Sequence, residues 1–182
     1  MKRILVLGAG LVGKAMALDL SKNFDVTAVD ISAQALAGLE QQNVKTLQLD
    51  LSDADRLTQA LAPFDLVVGA VPGFMGFKNA ETVIRAGKNM VDISFFPEDP
   101  FHLDELAKKH NVTIVTDCGV APGMGNVILG YHNKRMKIDS YECLVGGLPA
   151  APKLSEFEAL LSQLRYAAQD GGAEESITRR VS

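Results

Sequence analysis

The chain has 182 residues, 47% hydrophobic and 22% charged, with 16 glycines and a net charge of −4. That length can bury one substantial core, and the acidic balance argues against nucleic acid or an anionic membrane as the main partner, which leaves small molecules as the expected ligands. No apolar run approaches a bilayer span, no signal-peptide cleavage pattern follows Met1-Lys2-Arg3, and the two cysteines, Cys118 and Cys143, make neither a disulfide framework nor a metal motif, so a cytoplasmic, metal-free protein is expected.

The apolar run 4–7 reads as a strand buried on both faces, and it ends directly in Gly8-x-Gly10-x-x-Gly13, which opens a helix. In this pattern the first glycine permits a tight turn, the second lets backbone approach a pyrophosphate, and the third lets the helix pack on the strand, with phosphates meeting the helix's free N–H groups. Val12, Met16 and Leu20 recur at four-residue spacing and are expected to face the sheet, the helix ending near Asn23. A second strand, 25–29, ends in Asp30, about twenty residues beyond Gly10, where dinucleotide-binding folds carry the carboxylate that accepts from the adenosine ribose. Such a carboxylate would repel a 2′-phosphate, and Ile31-Ser32-Ala33 brings no arginine or lysine to hold one. NAD is therefore expected in preference to NADP.

Ser32 reads as the N-cap of a helix with Leu36 and Leu39 inward that stops around Asn43, and 44–49 as a third strand. This β-α-β-α-β run is half of an α/β, doubly wound parallel sheet of Rossmann type with right-handed crossovers. Asp50 and Leu51 follow the third strand at the carboxyl edge where an adenine would lie, although a loop acid leading the next helix explains Asp50 equally well. Ser52 and Asp55 form a capping box for a short helix holding Leu57 and Leu61. The fourth strand, 65–71, runs into Pro72-Gly-Phe-Met-Gly-Phe77. Loops at strand carboxyl ends line the ligand crevice of such sheets, so Ala70, Val71 and Pro72 are candidates for the ribose and nicotinamide. Packing against the following helix is the competing reading for Phe74, Met75 and Phe77.

A helix over 79–86 closes with Gly87, and a fifth strand covers 90–93, with Asp92 at the crevice end. A helix over 101–110, Leu103 and Leu106 inward, and a sixth strand over 112–116 complete the sheet. A second glycine-rich stretch, Thr116-Asp-Cys-Gly-Val-Ala-Pro-Gly-Met-Gly-Asn126, leads into a helix with Val127, Ile128 and Tyr131, and would bring Asp117, Cys118 and a run of backbone N–H groups to the same rim. Asp117 and Cys118 are the candidate catalytic residues. For Cys118 the competing reading is a small buried residue, since no histidine partner is evident. The candidate cofactor set is Gly8, Gly10, Leu11, Val12, Gly13, Asp30, Ile31, Asp50, Leu51, Ala70, Val71, Pro72 and Asp92. His102, His110 and His132 fall within helices and are assigned no role.

Gly69-Ala-Val-Pro-Gly-Phe-Met-Gly-Phe77, Met90-Val-Asp-Ile-Ser94, Thr116-Asp-Cys-Gly-Val-Ala-Pro-Gly123 and Val145-Gly-Gly-Leu-Pro149 together resemble the saccharopine dehydrogenase-like family over about residues 1–149. Within that family the likeness is to lysine 6-dehydrogenase first and to the saccharopine reductases next. The resemblance implies hydride transfer between a nicotinamide and an amine-bearing carbon of a lysine-like amino acid, and a cofactor domain followed by a large α/β domain that walls the substrate site and supports a homodimer. Here 1–138 is expected to be the cofactor domain and 139–170 a remnant of, or lead-in to, the second domain, with a strand over 140–145. Ser155 and Glu158 form a capping box for a helix whose Phe157, Leu160, Leu161 and Leu164 make one apolar stripe, and 171–182 is expected to be a disordered tail. A dinucleotide-binding module without turnover is the alternative reading.

Overall fold

The computed structural model describes residues 1–120 and 122–143. Its central element is β1 (Arg3–Leu7), whose sequence has no polar side after Arg3: Ile4 and Val6 are buried in one cluster, Leu5 and Leu7 in another. Around it the chain forms α1 (Leu11–Leu20), β2 (Asp25–Asp30), α2 (Ala33–Glu40), β3 (Lys45–Gln48), α3 (Ala54–Leu61), β4 (Leu66–Gly69), α4 (Gly73–Arg85) and β5 (Asn89–Asp92). A 3-10 turn (Pro100–Leu103) then continues into α5 (Asp104–His110), followed by β6 (Ile114–Val115). The strands pair in the order β3-β2-β1-β4-β5-β6, all parallel. This is the doubly wound arrangement, with strand order reversing between β1 and β4, and ligands of such sheets bind at that reversal.

One face buries Ile4, Val6, Val26, Ala28 and Val68 with Ala17 of α1 and Leu36 and Leu39 of α2. The other buries Leu5, Leu7, Val29 and Val67 with Leu57 and Leu61 of α3, Ala80, Val83 and Ile84 of α4, and Leu103. Strands covered on both faces need continuous apolar sequence, which is why β1 reads as a run and not as an alternation.

The chain divides into two compact units, Met1–Cys118 and a second beginning at Gly119. The sheet belongs to the first. In the second, Gly119 bridges Gly123, and α6 (Met124–Asn133) carries Tyr131, over whose ring the Arg135 guanidinium lies 3.7 Å from the centroid.

Several local expectations change. On α1 Gly13 and Ala17 are the buried residues and Met16 and Leu20 pack partly buried against the core as expected, while Val12 is 56% exposed. Gly13 abuts the Gly8 carbonyl, a contact with no room for a Cβ, and this closeness sets a helix phase that turns Val12 outward. The helix expected at 79–86 begins instead at Gly73, so the glycines of the Pro72–Phe77 stretch are helical. They mark close approach rather than a break: a Cβ on Gly73 would strike the Phe95 carbonyl, and one on Gly76 would strike Ser94 and Phe96. Met75 and Phe77 pack against the core, Phe77 edge-on to Phe96 at 5.7 Å, whereas Phe74 is exposed.

Asp53, and not Ser52, caps α3, accepting the Arg56 N–H at 3.0 Å. Ser52 instead turns its N–H and hydroxyl onto Asp50. β4 and β6 are shorter than expected, and the helix over 101–110 starts as a 3-10 turn because Asp99 caps the Phe101 N–H ahead of it. Residues 140–143 of the expected strand 140–145 have no strand conformation. The remainder of that strand, the 145–149 motif, the helix carrying Phe157 to Leu164 and the 171–182 tail lie outside the described residues.

Leu57 is fully buried and Leu11 is 96% exposed. Leu57→Ala is expected to cost about 2–5 kcal/mol and Leu11→Ala no more than about 0.5 kcal/mol, as read from urea unfolding.

Candidate functional site

Register brings the carboxyl ends of β1, β2 and β4 level: Leu7 pairs with Val29 on one side and with Gly69 on the other. The Gly8 N–H donates to the Val29 carbonyl at 2.8 Å and the Ala70 N–H to the Leu7 carbonyl at 2.8 Å, so the turns that follow start from one platform. Gly8 has φ +96°, which L side chains rarely adopt, and a Cβ there would lie 2.5 Å from the Ala70 carbonyl oxygen. Gly13 is packed with equal tightness beneath it. Gly10, between them, has nothing within 4 Å of the position its Cβ would take. The three glycines therefore do different things: two close the turn and one leaves an open notch.

That notch faces the start of α1. Gly10 is the N-cap without any side-chain cap, and no acid occupies the first turn. Among the described residues the N–H groups of Leu11, Val12 and Gly13 meet no protein acceptor, whereas Lys14 already bonds the Gly10 carbonyl. Free N–H groups at the positive end of a helix dipole, reached through a gap where a Cβ is missing, fit a pyrophosphate. Leu11 and Val12, both exposed, border this end of the helix.

Asp30 closes β2 beside the notch. One carboxylate oxygen accepts the Ala9 N–H and the other the Ser32 N–H, each at 2.8 Å, so the acid also braces the glycine turn against the start of α2. Beyond it lies a hollow of about 330 Å³ lined by Ile31, Gln48, Leu49, Asp50 and Arg56. Gln48 donates to the Ile31 carbonyl at 3.0 Å and holds one wall. Asp50 is held below the usual carboxylate range by the Ser52 N–H, then the Ser52 hydroxyl, with the Arg56 charge adding to them. The fold thus brings together Gly8, Gly10, Gly13, Asp30, Ile31 and Asp50. Leu51 and Val71 belong to the core instead, while Ala70 and Pro72 stay at the end of β4. Sequence reasoning missed Gln48 and Arg56, because the pairing of β3 with β2 and the start of α3 bring them there.

The ends of β5 and β6 form a different environment. Asp92 is fully buried, its Oδ1 accepting the N–H and hydroxyl of Ser94 and its main-chain carbonyl accepting the Cys118 N–H at 3.0 Å. Its Oδ2 has no partner among the described residues, and its carboxyl packs against Gly69, where a Cβ would collide with it. Burial pushes the Asp92 carboxyl up, and the Asp117 charge adds to this. Asp117 has φ +56° and is itself raised by burial. The Cys118 thiol is pushed up by burial and then by Asp117 and Asp92, and it donates weakly to the carbonyls of Val115 and Thr116. Raising the thiol makes it a poorer nucleophile, and burial disfavours the charged forms of the two acids.

Gly13→Ala is expected to destabilise the fold by about 1–3 kcal/mol, because the Gly8 carbonyl must move. Gly10→Val should leave unfolding by urea nearly unchanged and abolish dinucleotide binding in a calorimetric titration. For Asp92 the folded pKa lies above the unfolded one, so its contribution to stability is full below about pH 4 and is lost as pH rises through the folded value. Asp92→Asn should therefore gain on the wild type as pH is raised from 4 to 8. A difference between the two that is constant with pH would show Asp92 to be ionised in the folded state.

The match with known proteins covers the sheet that carries this site. The family model described as the saccharopine dehydrogenase NADP binding domain matches residues 4–115. The saccharopine dehydrogenase [NADP(+), L-glutamate-forming] of Saccharomyces cerevisiae is 26% identical over 158 residues, covering 82% of this chain and 35% of that protein. The alpha-aminoadipic semialdehyde synthase of Arabidopsis thaliana is 29% identical over 113 residues, 59% of this chain and 11% of that one. Among solved structures, apo saccharopine dehydrogenase (L-Glu forming) from Saccharomyces cerevisiae superposes with a TM-score of 0.66 at 24% identity, covering 78% of this chain and 34% of that one. The chain thus spans about a third of the yeast relative.

These findings overturn the expectation that NAD is preferred: the matched domain is an NADP-binding one. The expectation rested on Asp30 and on the absence of a cation in the next three residues. In the fold both Asp30 oxygens are engaged by backbone N–H groups, and a cation reaches the neighbouring hollow from α3. With its six-stranded sheet, glycine notch and matched residues, the chain belongs to the family of saccharopine dehydrogenase NADP-binding domains.

Proposed function

We propose that this chain is the cofactor-holding part of an NADP(H)-dependent oxidoreductase that moves hydride to or from a nitrogen-bearing carbon of a lysine-like amino acid. The observation that carries the reading is the open Gly10 notch against the uncapped start of α1, at the point where strand order reverses. The cofactor supplies the hydride chemistry when bound. The chain's part is to hold the pyrophosphate on the N–H groups of Leu11 to Gly13, to brace the ribose side through Asp30, and to present the buried carboxyl of Asp92 and the half-buried one of Asp117 near the strand ends where a nicotinamide lies in such sheets. Relatives named saccharopine dehydrogenase support the amino-acid substrate class. The proposal includes a cytoplasmic homodimer, the assembly that the family resemblance implies.

Titration of the 182-residue chain with NADPH, followed by nucleotide fluorescence, is expected to saturate with a Kd between about 1 μM and 1 mM. Saccharopine or lysine added to the NADP-loaded protein should then produce NADPH. NADPH binding without turnover of either amino acid would favour the module that holds a dinucleotide without reacting it.

A further inference from the structure

We propose that Arg56, in the first turn of α3, is the residue that holds the 2′-phosphate of NADP(H), working with the free N–H groups at the start of α2. This inference rests on the dinucleotide-binding reading above and names the group that makes the site selective.

The position of Arg56 is hard to explain by the helix alone. It lies three residues after the Asp53 N-cap, at the positive end of the α3 dipole, where a cation is disfavoured and acids are preferred. Its side chain is exposed and enters none of the ion pairs found among the described residues. Yet it lines the hollow shared with Ile31, Gln48 and Asp50, next to the acid that ends β2.

The neighbouring carboxylates do not consume it. Asp30 is held by the N–H groups of Ala9 and Ser32. Asp53 accepts the main-chain N–H of Arg56 itself. Asp50 takes its hydrogen bonds from Ser52 and feels Arg56 only as a nearby charge, and Asp55 is exposed on α3. The guanidinium keeps its planar fork of donors for a bidentate anion, the geometry that suits phosphate.

A second set of donors comes just after Ile31, one of the residues that line the hollow. α2 is capped by Ser32, whose hydroxyl accepts the Ala35 N–H, and its first turn has no acid. Among the described residues the N–H groups of Ala33 and Gln34 meet no acceptor. Ala33 and Gln34 are two and three residues beyond Ile31, with the Ser32 cap between. A dianion between the start of α2 and Arg56 would take N–H donors from one side and a guanidinium from the other, and would offset the acids at Asp30 and Asp50. The adenine then has the Ile31 and Leu49 side of the same hollow.

The test is calorimetric titration of the wild type, Arg56→Ala and Arg56→Lys with NADPH, NADH, 2′-AMP and 5′-AMP, each at low and moderate salt, after circular dichroism has verified the fold. The wild type should prefer NADPH over NADH and 2′-AMP over 5′-AMP. Arg56→Ala should lose roughly ten- to hundredfold in affinity for NADPH while its NADH affinity stays unchanged, and Arg56→Lys should recover part of the loss. The preference for NADPH should also shrink as salt rises. Equal losses for both dinucleotides would overturn the proposal and assign Arg56 to the adenine. A wild type that binds NADH as tightly as NADPH would overturn it while leaving the dinucleotide site intact. Failure to bind either would overturn the functional reading as well.

Discussion

The site depends on one close approach. α1 can start where it does only because its backbone at Gly13 touches the carbonyl of Gly8, while Gly8 itself turns against Ala70 at the end of β4. This knot joins β1, α1 and β4 at the reversal of strand order. It aims the first N–H groups of α1 at the space beside Gly10, and it sets the helix phase that buries Ala17 and turns Leu11 and Val12 outward. Elsewhere on the sheet, larger side chains can adjust to one another. Here backbone meets backbone, and any adjustment must move the chain itself.

The carboxylates divide the carboxyl edge into two environments. On the β2 and β3 side, Asp30 and Asp50 accept hydrogen bonds from backbone N–H groups, and at Asp50 these bonds and the Arg56 charge favour the ionised form. On the β5 and β6 side, Asp92 is shut in with one unpartnered oxygen, and Asp117 and Cys118 are raised by burial, an arrangement that favours the neutral forms. A charged, donor-rich end suits phosphates and ribose. The β5 and β6 end, where burial raises the carboxyls of Asp92 and Asp117, is the less hydrated of the two.

Glycine also carries the packing of α4. Gly73 and Gly76 let that helix lie against Phe95, Ser94 and Phe96, which in turn follow the Asp92 turn. The chain from the end of β4 to the end of β5 is thus one packed assembly. It couples the buried acid to the core through Gly69, Met90 and the α4 helix, so the burial of Asp92 follows from how closely these backbones approach.

The order of elements, the parallel sheet and the three-glycine turn were legible in the amino-acid sequence, because each is written in local signals: an apolar run for a strand covered twice, glycine spacing for a turn that must accept phosphate, an acid at the end of β2. The inward positions of α2, α3 and α5 were legible for the same reason, since helical periodicity is local. What only the tertiary structure decided is which residues meet across elements. Glycines in the 72–77 stretch look like breakers until the backbone at Phe95 is seen against them. Val12 fits the inward stripe until the contact at Gly13 fixes the phase of α1. Above all, a cation for the nucleotide rim was sought beside Asp30, whereas Arg56 reaches the same hollow because parallel pairing lays β3 beside β2 and starts α3 at its end. Charge selectivity depends on distance in space, and a stretch of sequence records only distance along the chain.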